Sequence, residues 1–330
     1  MTPFAYRRAE SLEDAMAAAG EPGTALLAGG TTLVDLMRGN VATPSRVVDI
    51  GRLPGLDGIE VTPHLVRIGA LARMADVAEH PLIRRDYPAL SESLQQAASQ
   101  QLRNMATVGG NLLQRTRCGY FRDGQSPCNK RVPGTGCPAL DGANRNHAVL
   151  GTSEACIATY PGDWGVGLVA FGAEVEVASR EGLRVIPFED LHREPGEEPE
   201  RETNLRLGEV ITAILVPATP TSRRSTYLKI RDRQSYAFAV VSAAVALRMV
   251  GDRVEDARIG LGGVATRPWR SREAEVALRG RPLTEALALE AGSAAFAGAR
   301  ARGENRVKLA LGPRVVARAL INAANREVPS

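Results

Sequence analysis

Aromatic residues are scarce, at 4% of 330 positions. No apolar stretch of about 18 residues occurs, so no membrane-spanning helix is expected. No block of basic residues with interleaved aromatics occurs either. Arginine dominates the cations but is dispersed, and a net charge of +4 with a pI near 9.0 is only mildly basic, which argues against a nucleic-acid surface. The chain has no G-x-G-x-x-G or Walker loop, no nucleophile elbow and no Ser-His-Asp arrangement. Its four histidines, His64, His80, His147 and His192, are scattered without a metal-like pair and read as structural or surface residues. The N-terminal MTPFAYRR holds a twin arginine with no apolar segment after it. That predicts no export signal, hence a cytoplasmic protein, or a periplasmic one only by co-export with a signal-bearing partner. The remainder, 44% apolar and 24% charged, is an ordinary globular composition with room for two or three domains.

Cysteine is absent outside residues 118–156, where four occur: Cys118, Cys128, Cys137 and Cys156, spaced C-x9-C-x8-C-x18-C. Core packing would scatter them. One iron–sulfur cubane or one structural zinc needs four sulfurs together. Three readings stand on spacing alone. Free or disulfide-bonded thiols suit small secreted domains better than a chain with a full core. Zinc sites usually show short C-x2-C pairs, which are missing here. A [4Fe–4S] cluster tolerates the wider spacing of a wrapping loop. The window is rich in Gly, Pro, Asn and Asp, and a long loop without periodicity is normally functional or disordered.

Around it the chain alternates strands and helices. Residues 11–19 predict a Ser-capped helix, 25–28 a buried strand, 33–38 a helix and 46–50 a strand, together a small β-α-β unit. Then come a strand at 66–70, a helix from Met74, a longer helix over 89–103, a turn at 107–111, a helix at 164–170 and strands at 174–178 and 211–217. After a polar joint at 218–222, strands are expected near 224–233, 238–249 and 254–262. Helices follow near 271–279, 283–300 and 312–325.

Two glycine junctions carry the remaining chemistry. Strand–Gly29-Gly30-Thr31-Thr32–helix lets backbone approach a ligand closely and leaves N–H groups for phosphate. Thr107-Val108-Gly109-Gly110-Asn111 suits a second backbone bend around a cofactor. Each alone is equally a tight turn.

Their combination is more specific. LLAGGTTLVDLMR (26–38), QLRNMATVGGN (101–111) and GGVATRPWR (262–270) follow in this order over essentially the whole chain. This resembles the FAD-binding subunit of the xanthine dehydrogenase / carbon monoxide dehydrogenase group of molybdenum hydroxylases. The cysteine insertion, with CGYFRD and CNKR, resembles the flavin subunit of bacterial aldehyde oxidoreductases, where it holds a [4Fe–4S] cluster; a related insertion occurs in 4-hydroxybenzoyl-CoA reductase. The resemblance implies an α+β fold of the PCMH / CO dehydrogenase flavoprotein type. Two FAD-binding subdomains (1–57 and 58–220, with the insertion at 118–156) would precede a C-terminal α+β domain (221–330). It implies that Leu27, Ala28, Gly29, Gly30, Thr31, Thr32 and Leu33 wrap the FAD pyrophosphate, and that Thr107, Val108, Gly109, Gly110 and Asn111 form a second wrap. Asp163 would hold the flavin's sugar-alcohol portion, Ile211 would pack near the flavin, and Lys229 would contact it. Cys118, Cys128, Cys137 and Cys156 would ligate the cluster. The implied role is a redox relay with no catalytic acid or base. Electrons from a large molybdenum-cofactor subunit would pass through a small [2Fe–2S] subunit to FAD and on to an external acceptor. A flavin subunit of a 4-hydroxybenzoyl-CoA reductase-like enzyme, a stand-alone flavin oxidoreductase and a zinc-braced scaffold are the alternatives.

Overall fold

The computed structural model describes residues 1–328. The first of three sheets has three parallel strands, β1 (Ala5–Arg8), β2 (Thr24–Leu27) and β3 (Arg46–Asp49), ordered β1-β3-β2. Parallel neighbours need crossovers, and helices Leu12–Ala19 and Leu33–Arg38 supply them. The first starts as its sequence predicts: the Ser11 side chain accepts the Asp14 N–H, and Glu13 and Asp14 occupy its first turn. β1 had no sequence signal. All four of its residues are exposed, and backbone pairing with β3 makes it a strand.

The second sheet contains β4 (Ile59–Val61), β5 (Leu65–Gly69), β6 (Glu174–Ser179), β7 (Gly182–Pro187) and β8 (Val210–Pro217). Their order is β4-β5-β8-β6-β7, all antiparallel. Central β8 is covered on both faces, which is why it reads as the continuous apolar run VITAILVP. Everything from residue 70 to 173 is inserted between β5 and β6. This excursion carries the second glycine motif and the cysteines.

The third sheet is antiparallel: β9 (Ser225–Ile230), β10 (Val241–Val250), β11 (Arg253–Gly262) and β12 (Trp269–Arg270), ordered β12-β11-β10-β9. The two-residue period of β10 divides it between two cores. Ala243, Val245 and Leu247 face helices Arg272–Leu278, Glu285–Ala294 and Val307–Ala324. Ala244 and Ala246 join the core of the second sheet. Between the sheets lies helix Trp164–Phe171, with all eight residues buried. A helix apolar on every side belongs in a core, and this one joins the two halves of the molecule.

Some expectations are corrected. The helix expected over 89–103 is two, Pro88–Gln95 and Gln100–Met105. Ala98 between them takes φ +49°, and Ser99 caps the second by accepting the Leu102 N–H. The turn at 107–111 is a short helix, Val108–Leu112, capped where Thr107 accepts the Gly110 N–H. The helix expected over 283–300 stops at Ala294, and the last one starts at Val307 rather than 312, with Pro313 inside it.

His192 ties the excursion to the second sheet. Its Nε2 lies 2.9 Å from the Leu112 carbonyl oxygen, and its ring meets Tyr160 and Phe188 edge-on. Burial pushes this imidazole down to about 4. Between that value and an unfolded value of about 6.5 the folded state binds fewer protons than the unfolded one. Stability is therefore complete above about pH 6.5 and falls as pH drops toward 4. Melting temperatures across this window should show the decline, on the order of 3 kcal/mol at its acid end. His192→Gln should lessen it, because burial pushes His147 down to about 4 as well; an unchanged slope would assign the decline to other groups.

Candidate functional site

Loops from the first sheet, the excursion and the third sheet enclose a cavity of about 840 Å³, within the range of ligand sites. Ala28 to Leu33 line one end. Gly30 takes φ +74°, a conformation costly for any residue with a Cβ, and its carbonyl accepts the Val34 N–H to start the helix. A Cβ on Gly29 would stand 2.2 Å from the Met105 carbonyl oxygen, so the first glycine loop rests directly on the segment leading into the second. The N–H groups of Gly29, Gly30, Thr31 and Thr32 meet no protein acceptor among the described residues. Such a row of donors facing open space suits phosphate oxygens. Thr107, Gly110 and Asn111 add to the wall. Asn111 Nδ2 turns to the Met74 sulfur at 3.5 Å, while its buried Oδ1 has no partner. A buried unpaired acceptor is destabilising unless a ligand donor fills it.

At the other end, Lys229 Nζ donates to Asp163 Oδ2 at 2.8 Å and to the Gln96 carbonyl at 3.0 Å. The Tyr227 hydroxyl donates to Asp163 Oδ1 at 2.5 Å. The Lys229 side chain is 0% exposed and that of Asp163 5%. Burial pushes the Asp163 carboxyl up, and the Lys229 ammonium and Tyr227 hydroxyl oppose that shift. Burial, reinforced by the Asp163 charge, raises the Tyr227 phenol well above its ordinary value.

Among the residues expected at a ligand, Ala28, Gly29, Gly30, Thr31, Thr32, Leu33, Thr107, Gly110, Asn111, Asp163 and Lys229 border this cavity. Val108 and Gly109 are buried behind the wall, and the Leu27 side chain packs beside Gly30. Ile211 lies in β8 opposite Val177, inside the core and away from the cavity lining. Sequence reasoning missed Asp35, Arg117 and Phe238. Asp35 accepts from Arg117 at 3.2 Å and Arg122 at 2.5 Å, and the Arg117 guanidinium lies 4.9 Å from the Phe238 ring centre. The signals available were the adjacency of Arg117 to Cys118 and two aromatics, Tyr236 and Phe238, in one polar loop of an aromatic-poor chain.

The four cysteines are free thiols bordering one common void, together with His147. Among the described residues no group of three or more His, Cys, Asp or Glu side chains is arranged to hold a metal ion. The window is held by hydrogen bonds rather than by long helices or strands. Asn129 N–H donates to the Gly136 carbonyl at 2.9 Å, the Gly136 N–H returns to Asn129 Oδ1 at 2.7 Å, and Arg131 holds the Phe121 carbonyl at 2.7 Å. Burial pushes the Cys118 and Cys156 thiols up to about 11 and raises that of Cys137, so the protein alone does not stabilise thiolates here. The Ala158 N–H points at Cys156 Sγ at 3.4 Å. His147, expected to be structural or on the surface, is buried with Nε2 3.2 Å from Cys118 Sγ.

The chain is similar to known proteins over nearly its whole length. Residues 2–219 match the family described as the FAD binding domain in molybdopterin dehydrogenase, and 226–320 the CO dehydrogenase flavoprotein C-terminal domain. The chain is 46% identical over 328 residues to the aldehyde oxidoreductase FAD-binding subunit PaoB of Escherichia coli, covering 98% of this chain and 99% of that protein. It is 30% identical to the carbon monoxide dehydrogenase medium chain of Afipia carboxidovorans, covering 98% of each. A solved Cu,Mo-CO dehydrogenase chain superposes with a TM-score of 0.77 at 26% identity, covering 99% of this chain and all of that one. The α+β flavoprotein fold expected from the sequence is thus the observed one.

Two substitutions probe the first glycine loop and the helix that follows it. Gly30→Val should reduce co-purifying flavin at least tenfold with little change in secondary structure, because the left-handed turn is lost. Asp35→Ala should raise the flavin release rate by freeing Arg117 and Arg122. Absorbance of flavin released by denaturation reports both, and wild-type content in Gly30→Val would move the phosphate cradle elsewhere.

Proposed function

This chain belongs to the FAD-binding medium subunits of the xanthine dehydrogenase / CO dehydrogenase family, and we propose that it is the electron-relay subunit of a molybdenum-dependent aldehyde oxidoreductase. The reading is carried by near-complete alignment with an aldehyde oxidoreductase flavin subunit. The cavity supports it: backbone donors stand at one end and a buried Lys–Asp pair at the other. When bound, FAD supplies the redox chemistry that the side chains themselves lack. Gly29 to Thr32 would hold its phosphates, and Asn111 Oδ1 would accept from the ligand. Asp163 would take a sugar hydroxyl while Lys229 balances its charge. Nothing in the arrangement calls for a general acid or base.

The four cysteines would hold a [4Fe–4S] cluster. Four soft sulfur donors suit iron–sulfur or zinc. All four thiols border one common void, which a core of several irons would fill. A positively charged core would also offset the burial that raises these thiols. The partners in this reading are a large molybdenum-cofactor subunit and a small [2Fe–2S] subunit, with an external acceptor for the electrons. The division at 1–57, 58–220 and 221–330 belongs to the same reading. Among the described residues no helix is long and apolar enough to cross a membrane.

Purification with co-expressed partners tests the whole. We expect about one FAD and four irons per chain, a heterotrimer, and no aldehyde oxidation by the isolated chain. Cys118→Ser should lose iron. One zinc and no iron in anaerobic wild type would defeat the cluster reading, and robust aldehyde oxidation by the molybdenum-free single chain would defeat the relay.

A further inference from the structure

Lys308, in helix Val307–Ala324, is 0% exposed. Its Nζ donates to the His147 carbonyl at 2.8 Å and the Gly263 carbonyl at 2.6 Å. Both acceptors are neutral, and no carboxylate pairs with it among the described residues. A buried ammonium with no anion is costly, and burial pushes this one down to about 7. The residue it holds is the one that touches a cysteine. His147 is fixed on one side by Lys308 and on another by its N–H to the Asn144 carbonyl at 2.8 Å. Its Nε2 lies 3.2 Å from Cys118 Sγ, and its buried Nδ1 has no partner. With the Cys118 sulfur beside Nε2 and no partner at Nδ1, a thiolate at Cys118 would take its hydrogen bond from Nε2–H.

A four-thiolate iron core, negative overall, would accept the imidazole N–H at Cys118, and Lys308, bonded to the His147 backbone carbonyl, would stand behind that contact as a cation. We propose that His147 and Lys308 are positioning residues of the cysteine-ligated centre, with His147 donating Nε2–H to the Cys118 thiolate and Lys308 fixing the His147 backbone carbonyl while contributing a positive charge behind that contact. This rests on the cluster reading above. One-electron reduction adds negative charge to the core. A hydrogen bond to sulfur and a nearby cation favour that state and raise the reduction potential.

The test is a redox titration of the purified complex, followed by the electron paramagnetic resonance of the reduced cluster, with iron counted in every sample. His147→Leu should keep its iron, shift the midpoint to more negative potential and alter the reduced spectrum. His147→Gln, which retains an N–H donor, should fall between Leu and wild type. Lys308→Met removes the charge without touching a sulfur. It leaves the His147 and Gly263 carbonyls without this donor, so its melting temperature is measured alongside, and the folded, iron-loaded protein gives an independent reading, again toward lower potential. Wild-type potentials and spectra in iron-loaded His147→Leu and Lys308→Met would overturn the inference while leaving the cluster in place. Absence of iron from the wild type would instead remove the cluster reading itself.

Discussion

Lys229 and Asp163 pair at a point where their side chains are 0% and 5% exposed, and the architecture converges on that contact. Lys229 comes from β9 of the third sheet. Asp163 stands at the entrance to the buried helix Trp164–Phe171. The Gln96 carbonyl, which also accepts from Lys229, ends helix Pro88–Gln95. One ammonium thus joins three segments remote in sequence. Removing either partner of a buried pair costs about 3–5 kcal/mol because the other charge is left alone. The pair earns its stability only in full register, so it specifies how the C-terminal domain seats on the cavity. That register leaves the carboxylate at the cavity wall, available to a ligand hydroxyl.

The cysteine window obeys a related constraint. Its backbone is continuous with the cavity wall at both ends. Leu113 to Arg115 and Arg117 line the cavity just before Cys118, and Pro161 and Asp163 line it soon after Cys156. Asp35 then ties the window back to the helix after the first glycine loop, through Arg117 and Arg122. Ordering a loop of this length has a large entropic cost. A centre held by the four thiols would therefore also steady the two stretches that close the cavity.

The distribution of cations follows the same logic. Of 41 basic residues only three are lysines: Lys130, Lys229 and Lys308. The side chains of Lys130 and Lys229 are 12% and 0% exposed, and Lys308 is fully buried. Most surface ion pairs use arginine instead, and such exposed pairs contribute little to stability. An ammonium is a compact point charge with three donors, suited to collecting two or three oxygens at one buried point, whereas guanidinium matches planar carboxylates.

Much of the fold was legible in the residue pattern because its signals are local. The Ser11 cap, the uninterrupted apolar run of β8 and the apolar helix at 164 each act over one or two turns or a single strand. β1 was not legible, having no buried face, and neither was the break at Ala98, where alanine carries no mark of a left-handed backbone. Among the candidate site residues, the glycine loops and the clustered cysteines were visible because glycine and cysteine are chemically singular. Asp35, Arg117 and His147 were not, since an acidic helix residue, an arginine among many and a lone histidine look like surface until something packs against them. The sequence by itself determined which chemistries are present and in what order: two backbone cradles, four sulfurs, one lysine beside an apolar strand. Tertiary structure alone decided which groups meet. Lys308 and His147 lie 161 positions apart, and Asp35 and Arg122 lie 87 apart. Contacts at such separations are set by how the sheets pack around the buried helix, and residue periodicity carries no record of that.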